Sequence, residues 1–336
     1  MGNQALNFIL GRARNRKHHQ NSVMNETPVQ INEMHPQQHE NILFATLIDE
    51  WFFHHKFEIM ESTAYGYEKS IPYVKKYFDG IRINDITSNM IYDYISYLKN
   101  GPLSIGSTKI YCKIVQLSLR YGIKYKYLLY NPAEDVVIKR PPRVEVKPFS
   151  ESEFKLLIGA EAPDWVKNGM IIAYRTGMRP GEIYALKWSD INLDQHFIAV
   201  QSSISKASSS VTLKTTKTPT GVRRIDIDSK LTALLVELKK NNPNEIFLFP
   251  GRSSEGCRVP WNVTKYVKRM CEDVGISPRN FYALRHTHAS VLMAHGVHPK
   301  IVQERLGHHS SQITMDTYSH VCPTIQKQAV DVMENI

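Results

Sequence analysis

Apolar residues recur at helical spacing in the part of the chain that follows residue 40. The clearest run has apolar side chains at positions i, i+3, i+4, i+7 and i+8, namely Phe44, Leu47, Ile48, Trp51 and Phe52. This spacing places them on one face of an amphipathic α-helix. Similar runs follow Ser62-Thr63, Ile86-Thr87 and a cap predicted at Ser107 or Thr108. Because the connections are short, we expect the four helices to form a compact bundle.

Beyond residue 150 the hydrophobic pattern changes. The order Ser150-Glu151-Ser152-Glu153 is typical of a capping box at the start of a helix. The next apolar helix is predicted over 166–175, and Thr176-Gly177 ends it. Pro180 suits the first position of a further helix, which we expect to run to Leu186-Lys187.

Short alternating runs then predict strands over 197–202, 211–215 and 223–227, which we expect to form one three-stranded sheet. The remaining elements are predicted as helices over 229–240 and 261–274, a short strand over 246–249, and a closing helix over 324–333. The predicted fold class is therefore mainly α with a small antiparallel β-sheet. A helical bundle is followed by an α+β domain.

Composition marks the domain boundaries. Residues 1–40 are rich in Asn, Gln and His and show no period, so we predict a mostly disordered basic tail; contact with phosphates is the alternative. Residues 139–149 form a proline-braced basic linker between a bundle at 41–138 and a second domain at 150–336. Such a linker could cross a DNA backbone, and it is equally consistent with a linker that only joins the two domains.

The charge of the chain points to a polyanionic partner. The 336 residues include 42 Lys and Arg against 32 Asp and Glu, a net charge of +10. This excess favours nucleic acid, although basic proteins without such a partner also exist. The tyrosines of the bundle lie at helical spacing, which favours packing in its core over stacking on DNA bases. The lysines predicted to contact phosphates are Lys69, Lys75, Lys76, Lys109, Lys113, Lys124 and Lys126.

Other kinds of site find no support in the sequence. The four cysteines are scattered, and the 14 histidines form no metal-ligand motif, so we expect free thiols, no metal and no cofactor. No apolar run is long enough for a signal core or a membrane span. We therefore predict a cytoplasmic protein.

Candidate chemistry is concentrated between residues 281 and 320. This stretch reads FYALRHTHASVLMAHGVHPKIVQERLGHHSSQITMDTYSH and contains Arg285, His308 and Tyr318, three groups suited to phosphoryl transfer. Arg285 lies at the start of an apolar periodic run, and Gly307 is predicted to end a second short helix. Tyr318 is predicted on a third, behind Ser310 or Ser311 as its N-cap.

The motifs Arg-His-Thr-His-Ala-Ser, Leu-Gly-His and Thr-Tyr-Ser-His resemble the second half of the tyrosine recombinase, or phage integrase, family. The resemblance covers residues 44 to 321. It requires another arginine in the first half, which TGMRPGE supplies as Arg179, and a lysine on a hairpin, which KTPTGVRR supplies as Lys217. It also implies that the bundle is a SAM-like core-binding domain and that residues 150–336 form the catalytic domain.

The resemblance implies a role for each of these residues. Tyr318 is the expected nucleophile, which forms a 3′-phosphotyrosyl bond, and Arg179 and Arg285 are expected to stabilise the charge on the phosphate. Lys217 is the expected general acid, with Lys214 as the alternative. His308 is expected to hydrogen-bond a nonbridging oxygen or the leaving group.

One position departs from the family pattern. Where the family usually has His-x-x-Arg, this chain has Tyr282-Ala283-Leu284-Arg285. A phenol can hydrogen-bond a phosphate, but it does not accept a proton near pH 7 as imidazole does. The substitution therefore bears on the rate and on the general base, and it leaves the nucleophile unchanged. Glu182 is expected to act as a buried brace for the arginines, and His286 and His288 as structural residues.

These features lead to three functional hypotheses. The first is a mobile-element integrase that recombines double-stranded DNA at attachment sites as a homotetramer, with accessory DNA-bending or directionality factors as further candidate partners. The second is a DNA-binding protein whose chemistry is impaired, which only Tyr282 supports. The third is a resolvase or a topoisomerase-like enzyme with the same chemistry. The basic linker and the long N-terminal tail favour the first.

Overall fold

A computed structural model of the chain describes residues 41–137, 147–207, 210–215, 221–308, 310, 330 and 333–334. Several sequence predictions lie outside these residues: the tail over 1–40, most of the linker, Lys217, Tyr318, Cys322 and nearly all of the closing helix. The boundaries proposed for the domains therefore stay predictions.

The four predicted N-terminal helices are confirmed as α1 (Phe44–His55), α2 (Glu61–Tyr77), α3 (Ser88–Asn100) and α4 (Ile105–Lys124). The cap predicted for α4 at Ser107 or Thr108 is wrong. The N-cap is Ser104, whose hydroxyl accepts a hydrogen bond from the Ser107 N–H at 3.1 Å. The first two residues of α4, Ile105 and Gly106, are exposed, so no apolar period marks its start in the sequence.

The bundle is held together by an apolar core in which aromatic rings meet edge to face. Phe78 contacts Phe44 and Tyr94 with ring centroids 5.1 and 4.9 Å apart, a geometry that stabilises beyond the area buried. Tyr94 and Tyr111 are buried as predicted, whereas Tyr73, Tyr92 and Tyr97 are exposed. Of the lysines predicted to contact phosphates, Lys75 of α2 forms an ion pair with Asp49 of α1 at the surface of the bundle.

The second half of the chain contains seven helices and five strands within its described residues. The helices are α5 (Glu151–Gly159), α6 (Asp164–Thr176), α7 (Pro180–Ile183), α8 (Ser229–Asn241), α9 (Val263–Asp273), α10 (Tyr282–Ala294) and α11 (Pro299–Leu306). The strands are β1 (Ile191–Asn192), β2 (Phe197–Val200), β3 (Ser202–Ala207), β4 (Ser210–Thr215) and β5 (Arg223–Asp226). The predicted capping box at Ser150 is confirmed.

The single three-stranded sheet predicted from the sequence is wrong. One sheet has the order β1-β2-β5, and β3 and β4 form a separate antiparallel pair with Ser202 opposite Thr215. Because β3 reads Ser-Ser-Ile-Ser-Lys-Ala, it lacks the apolar alternation that would have revealed it. The predicted strand over 197–202 is instead divided between β2 and β3.

Helix α7 ends at Ile183, well before the predicted end at Leu186-Lys187. The Leu186 carbonyl accepts a hydrogen bond from the Leu248 N–H at 2.9 Å, and Lys187 forms an isolated bridge with Phe247. Pairing with residues 246–248 therefore draws the chain out of the helix. The strand predicted over 246–249 is present only as this bridge.

Helices α6, α10 and α11 meet at Gly177, which ends α6 with a φ of 70°. A Cβ at this position would lie 2.5 Å from the Leu306 side chain and 2.7 Å from the His288 ring. Glycine is therefore required both by the backbone conformation and by the close approach of the two other helices. Within the described part of the chain, no helix combines the length and apolar character needed to cross a membrane.

We predict that Gly177→Ala lowers the free energy of unfolding by about 2–4 kcal/mol, because it adds both a strained φ and a steric clash. Gly275→Ala is the matched control: Gly275 also has a positive φ, of 73°, but nothing lies within 4 Å of a Cβ there. Urea denaturation of the two variants measures the difference. Equal destabilisation would show that packing against α10 and α11 contributes nothing.

Candidate active site

The candidate site is built around the carboxyl end of α11. Gly307 ends this helix in the left-handed conformation, with a φ of 68°. The last carbonyls of an α-helix have no partner within the helix and carry the negative end of its dipole. Donors from other parts of the chain therefore bind there, and guanidinium groups suit the position best.

Three consecutive carbonyls at this end each accept a hydrogen bond from a different arginine. The Arg305 carbonyl accepts from Arg223 Nε at 2.8 Å and the Leu306 carbonyl from Arg285 Nη2 at 2.8 Å. The Gly307 carbonyl accepts from Arg179 Nη2 at a longer 3.4 Å. The end of α11 thus gathers two arginines predicted from the sequence and one that was not.

Arg285 is the most firmly held of the predicted residues. It is only 6% exposed, and its Nη1 also donates to the Gly177 carbonyl at 2.7 Å. Two backbone carbonyls from different helix ends therefore fix the plane of the guanidinium. A planar, permanently charged group held in this way is suited to bind a phosphate in a defined orientation.

Arg179 lies at the N-cap of α7 and keeps 36% of its side chain exposed. Its Nη1 and its backbone N–H both donate to the Glu182 carboxylate, at 2.8 and 2.9 Å. Glu182 is 3% exposed and also accepts two hydrogen bonds from Arg223, at 2.9 and 3.2 Å. The prediction of Glu182 as a buried brace is confirmed.

Burial alone would raise the pKa of Glu182. The hydrogen bonds and charge of Arg223, together with the charge of Arg179, outweigh burial and lower the pKa below its ordinary value. The carboxylate therefore stays ionised and is unsuited to act as an acid catalyst.

His308 follows the end of α11 and lies beside the arginines. Burial, followed by the charges of Arg285 and Arg179, lowers the pKa of His308 to about 3. His308 is therefore a neutral imidazole near pH 7, able to hydrogen-bond a phosphate oxygen but not to act as a cation. His286, interpreted from the sequence as structural, belongs to the same electrostatic cluster: burial and then Arg285 lower its own pKa, and it contributes to the shift at His308.

His288 is buried, as predicted, and locks α11 to α6. A carbonyl can only accept, so His288 Nδ1, 2.8 Å from the Tyr174 carbonyl, carries the proton, and Nε2 accepts from Arg305 Nε at 3.0 Å. Arg305 also donates to the backbone carbonyls of Asp226 and Arg175. Burial, followed by the charge of Arg305, lowers the pKa of His288 to about 4.

Two of the remaining candidate site residues, Tyr282 and Lys214, lie within the described part of the chain. Tyr282 is the first residue of α10, one turn before Arg285, and is 46% exposed. Lys214 on β4 forms an ion pair with Glu61 at the start of α2, 2.9 Å away, and so links the two halves of the chain. Lys217 and Tyr318 lie outside the described residues. The structure therefore brings Arg179, Arg285 and His308 together and leaves the remaining roles as predictions.

The sequence interpretation missed Arg223 and Arg305. A weak signal exists for each: Arg223 is a charged residue at the start of a strand, and Arg305 is a basic residue in the last turn before Leu-Gly-His. Neither signal identifies a partner. Within the described residues, no group of His, Cys, Asp or Glu is arranged to hold a metal ion.

Comparison with known proteins finds matches in both halves of the chain. Residues 151–324 match the phage integrase family, and residues 43–99 match the phage integrase N-terminal SAM-like domain. The ICEBs1 integrase of Bacillus subtilis is 27% identical over 279 residues, covering 79% of this chain and 75% of the relative. A XerC-like tyrosine recombinase of Caldanaerobacter subterraneus is 27% identical over 286 residues, covering 76% and 73%.

Solved structures show the same fold. The Tn1549 transposon integrase, in complex with a circular intermediate DNA, superimposes with a TM-score of 0.73. The match covers 88% of this chain and 100% of that one at 16% sequence identity. At this identity the likeness concerns the fold: a SAM-like helical domain followed by a mostly helical domain with small antiparallel sheets, as predicted.

We predict that acid destabilises the protein partly through His288. The pKa of His288 is about 4 in the fold, against about 6.5 when unfolded. The stability that depends on neutral His288 is therefore complete above pH 6.5 and is lost as the pH falls towards 4. It amounts to on the order of 3 kcal/mol.

Urea denaturation at pH 7.5 and 4.5 tests this. His288→Gln should lower stability at pH 7.5 and flatten its dependence on pH. His295→Gln, at an exposed histidine just after the same helix, should keep the full dependence. An unchanged pH slope in His288→Gln would contradict the assignment.

Proposed function

The chain belongs to the phage integrase family and is a site-specific tyrosine recombinase, and we propose that it cleaves and rejoins double-stranded DNA through a 3′-phosphotyrosyl intermediate to integrate or excise a mobile element. The observation that carries this proposal is the convergence of Arg179, Arg285 and His308 on the end of α11. The similarity to the ICEBs1 integrase supports the integrase assignment.

The electrostatics of the centre fit a phosphodiester substrate. Arg179 and Arg223 share the single carboxylate of Glu182, so these three groups together carry a net positive charge. Arg285 adds a further positive charge, since the two groups shown to accept its hydrogen bonds are uncharged backbone carbonyls. A scissile phosphate supplies the missing negative charge, and the charge that builds on its equatorial oxygens in the transition state is stabilised further.

In the proposed reaction the Tyr318 oxygen attacks phosphorus in line. The phenol loses its proton as the O–P bond forms, and the 5′-oxygen gains one as the P–O5′ bond breaks. The phosphotyrosyl ester conserves the energy of the broken bond, so a second 5′-hydroxyl can reverse the step without ATP. Lys217 is the proposed proton donor, and neutral His308 donates a hydrogen bond to the phosphate.

Lys214 is the weaker candidate for the general acid. Its Nζ is paired with Glu61 of the helical bundle, so its ammonium serves the contact between the two halves of the chain. The proposal further includes a homotetramer on DNA, accessory DNA-bending or directionality factors, and a cytoplasmic location where the DNA substrate is present.

We predict that Tyr318→Phe binds DNA but never becomes covalently attached, because it lacks the nucleophilic oxygen. The substrate is a nicked suicide duplex made from the DNA ends that flank the element, and denaturing gels detect the covalent complex. Tyr282→Phe is the matched control and should still form it, about five- to tenfold more slowly if one hydrogen bond is lost. A covalent band with Tyr318→Phe would refute the assignment.

We predict that Lys217→Ala slows cleavage of an ordinary duplex by about 10²–10⁴-fold, as expected for loss of a general acid. A 5′-bridging sulfur at the scissile position leaves as a thiolate without protonation, so this substrate should restore most of the rate. Lys214→Ala, measured alongside, should cleave both substrates at nearly the wild-type rate. Rescue of Lys214→Ala in place of Lys217→Ala would exchange the two assignments.

A further inference from the structure

Arg223 is one of the most thoroughly bonded side chains at the centre, although no motif marks it. Its side chain is 6% exposed. Its Nε donates to the Arg305 carbonyl at 2.8 Å, and its Nη1 and Nη2 donate to the two oxygens of Glu182 at 3.2 and 2.9 Å. Nη1 also donates to the Gly221 carbonyl at 3.2 Å. One guanidinium thus joins β5, α7 and the end of α11.

We propose that Arg223 is a positioning residue that holds Arg179 and the end of α11 in the arrangement that receives the scissile phosphate, an inference that rests on the proposed recombinase function. Being buried, Arg223 itself does not reach the DNA. It acts through Glu182 on one side and through the Arg305 carbonyl on the other.

The link to Arg179 follows from how Glu182 is shared. Oε1 accepts from Arg179 Nη1 at 2.8 Å and from Arg223 Nη1 at 3.2 Å, while Oε2 accepts from the Arg179 N–H and from Arg223 Nη2, both at 2.9 Å. The N–H groups of Arg223 therefore occupy one acceptor position on each carboxylate oxygen. Without it, the guanidinium of Arg179 is free to take up a two-pronged pairing with Glu182, and its charge is then directed at the carboxylate and away from a phosphate.

The link to α11 follows from the carbonyl that Arg223 binds. The Arg305 carbonyl immediately precedes those bound by Arg285 and Arg179, so the three guanidiniums set the position of one turn of backbone. His308 follows directly, and the charge of Arg223 contributes to the lowering of its pKa. Loss of Arg223 leaves the Arg305 carbonyl without this donor, which loosens the turn that carries His308.

Arg224 provides a matched control. It is the next residue on β5, has a side chain that is 55% exposed, and pairs with Asp226 at the surface. Arg224→Gln therefore removes the same charge from the same strand without touching Glu182 or α11. A difference in reaction rate between the two variants therefore reflects the position of the lost guanidinium, because the net charge of the protein is the same in both.

The test is single-turnover formation of the covalent complex on the nicked suicide duplex at saturating protein, with DNA affinity and thermal stability measured in parallel. We expect Arg223→Gln to lower the rate about 100-fold, because misplacing a catalytic group by about 1 Å has such an effect. DNA affinity should change less than about threefold, since most affinity comes from other phosphate contacts. Arg224→Gln should react at the wild-type rate.

A double-mutant cycle separates positioning from general damage. If Arg223 acts in part through Arg179, then adding Arg223→Gln to Arg179→Ala should slow the reaction clearly less than the ~100-fold expected from Arg223→Gln alone, the remaining loss reporting the loosened turn of α11, whereas independent effects would multiply in full. Multiplicative losses, a wild-type rate for Arg223→Gln, or an equal loss in Arg224→Gln would each overturn the proposal. If Arg223→Gln does not fold, Arg223→Lys enters the same cycle, with an expected loss of about tenfold because a lysine lacks the forked donor geometry.

A second readout does not depend on the chemistry. In DNA-free protein with isotopically labelled arginine, the side-chain N–H resonance of Arg179 should shift in Arg223→Gln and stay in place in Arg224→Gln. If wild-type protein forms no covalent complex, the proposed function is wrong, while this spectrum still tests the coupling. An unmoved Arg179 resonance in Arg223→Gln would overturn the coupling even if cleavage is intact.

Discussion

The carbonyls at the carboxyl end of α11 have no partner within the helix, and this is the constraint on which the rest of the site depends. A buried helix end needs donors, and this one receives them from Arg223, Arg285 and Arg179 at three successive residues. The same bonds that complete the helix therefore fix the guanidiniums. One set of contacts thus completes the helix and sets the geometry proposed for phosphate binding. Gly177 allows these contacts by letting α6, α10 and α11 approach closely.

Among the described residues the centre carries more positive than negative charge, and this has consequences for the histidines. Arg179 and Arg223 share one carboxylate, that of Glu182. The remaining positive charge disfavours any further cation nearby. His308 and His286 therefore both have lowered pKa values, with burial as the first cause and the arginines as the next. A bound phosphate would offset this surplus, so the site is electrostatically most favourable when the substrate is in place.

How far the sequence predicts this site depends on whether a residue belongs to a local motif. Arg179, Arg285 and His308 do, and the structure brings them together. Arg223 and Arg305 bind backbone carbonyls that lie 82 and 79 residues away, which no local pattern records. The same distinction applies to the fold: amphipathic periods predicted the helices well, whereas strand pairing depends on distant partners, and the polar sequence of β3 concealed it.

The neutral histidines also bear on Tyr282, the position at which this chain departs from its family. Tyr282 lies one turn before Arg285, whose charge would disfavour a protonated imidazole at the same place. A histidine there would act in its neutral form, and as a hydrogen-bond donor it offers nothing that a phenol lacks. The two differ only in accepting a proton, which phenol does not do near pH 7. The exchange is therefore compatible with active chemistry as long as the proton of the proposed nucleophile, Tyr318, has an acceptor other than residue 282, such as solvent.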